Sequence, residues 1–161
     1  ITKYLNGELI EKTIKTTHQE LKNRFAISNP KIWISGLNPH AGEAGTIGDE
    51  ENNFIIPAIK KLRSEGYSLV GPISADTMFY RKKRLKFDAA ICMYHDQALI
   101  PIKTLDFHSS VNLTIGLSFI RTSPDHGTAF DIAGKNLANP TSTIEAIKLA
   151  WKLVKKEKKD R

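Results

Sequence analysis

The sequence predicts a layered α/β fold, and three observations carry that reading. Apolar residues recur at helical spacing in well-separated stretches. Short apolar runs of strand length lie between those stretches. Glycine- and proline-marked polar segments follow several of the runs, as they do where strands hand over to helices. The chain has 161 residues, 40% of them hydrophobic and 25% charged, enough for a single domain with a real core.

Leu9, Ile10, Ile14, Leu21 and Phe25 form one helical stripe, so Gly7 to Phe25 reads as an amphipathic helix with Asn6 as its N-cap. Asn29-Pro30 breaks the chain, and Lys31 to Leu37 reads as a buried strand. A Gly-rich loop spans Asn38 to Gly48. Asp49 to Glu65 reads as a helix, with Phe54, Ile55, Ala58, Ile59 and Leu62 along one side and Gly66 placed to end it. Ser68 to Val70 is a short strand leading into Gly71-Pro72, and Phe87 to Met93 is an apolar strand. Val111 to Ile115 is a further strand, and Arg121 closes a buried strand. Thr141 to Lys155 is a final helix with Ile144, Ile147, Trp151 and Val154 on one face.

Composition narrows the function classes. No apolar run approaches the roughly 18–20 residues that span a bilayer. The start, Ile1-Thr2-Lys3-Tyr4, lacks the pattern of a signal peptide. Cys92 is the only cysteine, which excludes an internal disulfide and suits a reducing, cytoplasmic setting. The net charge of +7 concentrates in Arg81-Lys82-Lys83-Arg84 and in the tail Lys155-Lys156-Glu157-Lys158-Lys159. Aromatic residues do not interleave with these cations, so solvated faces are favoured over a nucleic-acid surface.

Chemistry-bearing residues cluster after strands. Asn38-Pro39-His40 and Tyr94-His95-Asp96-Gln97 both follow predicted strands, where open α/β sheets collect ligands. An imidazole there suits metal binding or proton transfer, and a neighbouring carboxylate such as Asp96 reinforces either role. The plainer reading makes His40 an idle loop histidine and Asp96 a helix N-cap. Gly71-Pro72-Ile73-Ser74-Ala75-Asp76-Thr77 is a turn into a capped helix, with Asp76 as a candidate carboxylate near a metal. Arg121 and Lys103 are cations suited to a phosphate or carboxylate, but for either one alone a surface role is the favoured reading.

Asn38-Pro39-His40-Ala41-Gly42-Glu43, Gly71-Pro72 with Ala75-Asp76-Thr77, Met93-Tyr94-His95-Asp96-Gln97 and Phe119 to Gly127 occur in order. Together they closely resemble the 4-hydroxythreonine-4-phosphate dehydrogenase family of vitamin B6 biosynthesis, in its C-terminal half. The resemblance implies NAD- or NADP-dependent oxidation of 4-phosphohydroxy-L-threonine, followed by decarboxylation to 3-amino-2-oxopropyl phosphate. It implies a divalent metal, zinc or a substitute such as magnesium or cobalt, held by three histidines. Two of these map onto His40 and His95, and the third would precede Ile1. It places substrate contacts at Lys103, Asn112 and Arg121, leaves Asp76 and Asp96 as candidates for catalysis, and implies a homodimer with shared active sites.

A more distant resemblance, to isocitrate and isopropylmalate dehydrogenases, covers His126-Gly127-Thr128-Ala129, Asp131, Ala133-Gly134 and Asn139-Pro140. It implies that His126 and Asn139 approach adenine and that Asp131 meets the ribose hydroxyls, favouring NAD. It also implies the α/β/α layering of that superfamily. Ala44, Ala98 and Ser118 depart from the first family's usual residues, which touches substrate preference more than reaction class. The rival readings are a relative acting on another four-carbon phosphorylated sugar acid or a cis-dihydrodiol, and a domain that only binds a ligand or dimerises.

Overall fold

In the computed structural model, which describes residues 3–157, the central strand is β1 (Ile32–Ser35). It pairs in parallel with β2 (Leu69–Ile73) on one side and β3 (Ala89–Ile91) on the other, giving the order β2-β1-β3. The chain falls into two compact units, Ile1–Pro101 and Ile102–Arg161. Of the basic tail, Lys158 and Lys159 lie outside the described residues, as do Ile1 and Thr2 at the start.

Strand alternation sorts the first unit into layers. Ile32 and Ile34 are fully buried among Ile10 and Ile14 of α1 (Gly7–Asn23) and Ala58, Ile59 and Leu62 of α2 (Ile56–Ser64). Trp33 turns to the opposite face and packs on Phe87, and Ser35 there meets Gln97. α1 starts as predicted: the Asn6 side chain accepts a hydrogen bond from Leu9 N at 2.8 Å. α2 is preceded by a π-helical turn, Glu51–Ile55, and Gly66 follows it with φ +92°. Two short helices, α3 (Ala75–Met78) and α4 (Arg81–Arg84), lie between β2 and β3, and α5 (His95–Leu105) follows β3.

The second unit pairs β4 (Val111–Thr114) antiparallel with β5 (Arg121–Pro124) and adds α6 (Thr141–Glu157). Ser142 and Ala146 of α6 are buried, and the Ala146 carbonyl accepts from the Thr122 hydroxyl at 2.9 Å. The Ser142 hydroxyl accepts from Asp125 N and donates to Ser110 O, tying the start of α6 to both strands' ends. The predicted apolar face of α6 points elsewhere: Ile144, Ile147, Trp151 and Val154 are exposed, and Ser142, Ala146 and Leu153 form the packed side. Spacing identified an apolar stripe, but a second one, built around small residues, is the one that docks. Arg121 opens β5 instead of closing a strand, and it is exposed.

A histidine cleft at the strand ends

The order β2-β1-β3 sends the chain to one side of β1 and then back across to the other. Loops leaving the carboxyl ends of β1 and β3 therefore diverge, and the crevice between them is where ligands settle in open α/β sheets. A cleft of about 290 Å³ lies at this end, lined by residues following β1 (Asn38, His40), β2 (Ser74, Asp76) and β3 (Tyr94, Gln97).

The His40 loop owes its shape to its backbone. His40, Ala41, Gly42, Glu43 and Ala44 all have positive φ, between +42° and +79°, so Pro39–Gly45 winds left-handed. Such a run is costly for side-chain-bearing residues and persists only when its surroundings hold it. Glu51 supplies that hold. It is 2% exposed, and one carboxylate oxygen accepts from Leu37 N at 2.7 Å and Asn38 N at 2.8 Å. The other accepts from the Asn38 amide at 2.9 Å. A Cβ on Gly42 would stand 2.6 Å from that second oxygen, so the loop wraps directly onto the carboxylate. Asn38 also donates to Glu50 at 2.7 Å, which holds the Glu50 carboxyl below the usual range.

Asp76 accepts from the Ser74 hydroxyl. That bond chiefly lowers its pKa, and the nearby His40 lowers it further. Asp76 is thus ionised at neutral pH and faces the His40 side of the cleft. On the other loop, α5 begins at His95, so Asp96 sits in the first helical turn and is not the N-cap. Its carboxylate lies 2.7 Å from His95 Nδ1. With Nδ1 so engaged, Nε2 is the nitrogen left for a ligand, the arrangement that carboxylates impose on metal-binding histidines. In this respect His95 fits a divalent ion as a donor. Among the described residues no three His, Cys, Asp or Glu side chains converge to complete a site.

The remaining predicted residues lie in the second unit. Asn112 pairs with Ser123, and Thr114 with Arg121, so Asn112 and Arg121 share one face of the two-stranded sheet. Thr122, on the opposite face, is the one that bonds to α6. Arg121 donates to the Thr114 hydroxyl at 2.7 Å. Lys103 is already engaged: its ammonium lies 2.6 Å from the Asp125 carbonyl and 3.2 Å from its carboxylate. His126 and Asp131 are exposed, with His126 Nδ1 3.0 Å from Gly127 O. Asn139 accepts from Thr141 N at 2.9 Å, capping the approach to α6, and its amide lies 3.2 Å from His108 Nδ1.

Sequence reading assigned no role to Glu51 or Gln97. The signal for Glu51 was faint, one acid among Asp49-Glu50-Glu51 at a helix start. Within Tyr94-His95-Asp96-Gln97 the histidine and aspartate carry the more evident chemistry, and nothing local singles out Gln97.

These features define an α/β protein with a strand-end cleft lined by His40 and Asp76, and with His95 opening the helix after the neighbouring parallel strand. Residues 1–150 match the family described as pyridoxal phosphate biosynthetic protein PdxA, and the chain belongs to that family. It is 59% identical over 150 residues to 4-hydroxythreonine-4-phosphate dehydrogenase of Roseobacter denitrificans, covering 93% of this chain and 46% of the relative. A solved 4-hydroxythreonine-4-phosphate dehydrogenase from Klebsiella pneumoniae superimposes with a TM-score of 0.82 at 38% identity, over 94% of this chain and 46% of that one. A terephthalate 1,2-cis-dihydrodiol dehydrogenase from Burkholderia xenovorans superimposes with a TM-score of 0.71 at 35% identity, over 91% and 46%. The chain therefore spans about half the length of the relatives it matches. Among the described residues, no helix is long and apolar enough to cross a membrane.

Proposed function

We propose that this chain carries part of the active site of a 4-hydroxythreonine-4-phosphate dehydrogenase. The observation that supports this reading most is that His40 follows β1 and lines the cleft, while His95 opens the helix that follows the neighbouring parallel strand β3. The reaction removes a hydride from C3 of 4-phosphohydroxy-L-threonine to NAD or NADP and a proton from its 3-hydroxyl. The resulting 3-oxo acid loses carbon dioxide and leaves 3-amino-2-oxopropyl phosphate. His40 and His95 hold a divalent ion, zinc or alternatively magnesium or cobalt, together with donors beyond these two. Such an ion, when bound, polarises the substrate hydroxyl.

Asp96 orients the His95 ring. Asp76, ionised beside His40, is placed to take up the hydroxyl proton or relay it to solvent. Arg121 and Asn112, on one exposed strand face, bind the phosphorylated substrate. Lys103 does so once it exchanges its contact with Asp125 for substrate oxygen. His126 and Asn139 take the adenine and Asp131 the ribose hydroxyls, which favours NAD because a carboxylate repels a 2′-phosphate. In this reading the enzyme is a cytoplasmic homodimer with shared active sites. The Burkholderia structure makes a cis-dihydrodiol the alternative substrate, and a substrate panel separates the two.

The test is a chimera in which this sequence replaces the matching half of the Roseobacter relative. It should form NADH from 4-phosphohydroxy-L-threonine with a divalent ion present. His40→Ala and His95→Ala should each lower kcat/KM at least about 100-fold. Full activity in both variants would refute the reading, and a clear NADP preference would refute the role of Asp131.

A further inference from the structure

β1 and β3 are joined by ladder hydrogen bonds only as far as Ile34 and Ile91. Beyond that point one chain runs on to His40 and the other to His95. The side-chain amide of Gln97 links the two. Its Nε2 donates to Gly36 O at 2.8 Å, at the end of β1. Its Oε1 accepts from Met93 N at 2.8 Å, after β3, and from the buried Ser35 hydroxyl at 2.6 Å. Gln97 is 8% exposed and also lines the cleft. One amide thus serves as an extra rung past the last paired residues, donating to Gly36 O after β1 and accepting from Met93 N after β3.

This bond set differs from that of Glu51. Glu51 holds the His40 loop alone, through Leu37 and Asn38. Gln97 grips both histidine-bearing loops at their roots. A group buried this well with its polar atoms partnered fixes geometry sharply, because breaking any bond strands a buried donor or acceptor.

We propose that Gln97 is a positioning residue that sets the separation of His40 and His95, acting through the roots of their loops and not as a ligand. The inference rests on the reading of the two histidines as donors to one ion. Removing such outer support lowers metal affinity roughly 10–100-fold.

The experiment is calorimetric titration of the 161-residue chain with Co²⁺ alone. Wild type should bind weakly, and His40→Ala and His95→Ala should each lower affinity further. Gln97→Leu should cost about 10-fold in the wild-type background and nothing further in the His95→Ala background, the non-additivity expected if Gln97 works only by bringing the two imidazoles together. A generalised structural role would lower affinity in both backgrounds or in neither. Should Gln97→Leu fail to fold by circular dichroism, Gln97→Glu, which keeps the acceptor toward Ser35 and Met93 but opposes Gly36 O, and Ser35→Ala are tested in the same cycle and should show the same non-additivity with smaller losses. Co²⁺ binding that falls in both histidine variants but not in any Gln97 or Ser35 variant overturns the proposal. Binding unchanged in both histidine variants overturns the two-histidine reading instead, and the proposal with it.

Discussion

In the Ile1–Pro101 unit, Ile14, Ile32, Ile34, Ile55, Ile59 and Leu62 are sealed from solvent, and the cleft sits on the ends of strands anchored in that core. In the Ile102–Arg161 unit, Ala146 and Leu153 are the hydrophobic residues buried among those described, while Phe119, Phe130, Leu137, Ile147 and Trp151 lie open, Ile147 at 65% and Trp151 at 62%. The helix α6 carries apolar residues on two opposite sides and uses one. The contrast separates two kinds of candidate residue. His40, Asp76 and His95 hang from a scaffold with its own hydrophobic support. Asn112, Arg121, His126, Asp131 and Asn139 stand on one that buries little.

That difference sets the order of effects. Ile34→Ala empties a fully buried position and should cost about 2–5 kcal/mol, whereas Ile147→Ala should stay within about 0.5 kcal/mol, both read from urea denaturation of the chain. Equal losses would erase the distinction between the units. Glu51→Ala should cost about 2–3 kcal/mol, because it leaves the amides of Leu37 and Asn38 without their acceptor. Hydrogen exchange should then quicken at those amides ahead of the rest of the sheet. A variant as stable as wild type would show that the left-handed loop holds itself.

The smallest effect is a pH dependence in the first unit. Burial pushes the Cys92 thiol up from its ordinary 9.0 to about 11, against a weaker opposing contact with the Ser35 side chain. The folded state therefore favours the protonated thiol. Its contribution to stability is complete below pH 9 and is lost as pH rises toward 11. Alkylation of Cys92 by iodoacetamide at pH 8 should accordingly run well below the rate of the unfolded chain. Equal rates would mean that the end of β3 is open.

Much of this arrangement was legible in the residues. Helical spacing and Asn6 located α1, apolar runs located β1, β3 and β4, and Gly66 marked the end of α2. Motifs placed His40 and His95 after the right strands. What stayed hidden depends on distant partners. The left-handed winding of Pro39–Gly45 is sustained by Glu51, itself turned inward by a π-helical turn that spacing does not reveal. The docking side of α6 is chosen by Ser142 and Ala146, which a search for large apolar residues passes over. The engagement of Lys103 with Asp125 joins residues that neither local motif connects.

The most direct measurement is anomalous diffraction at the zinc edge from crystals of the chimera grown with zinc. A peak within about 2.0–2.1 Å of a ring nitrogen of both His40 and His95 is expected, with His95 coordinating through Nε2 while Asp96 holds Nδ1. A peak bound to only one of these histidines, or to neither, would contradict the assignment of the two strand-end loops to one site.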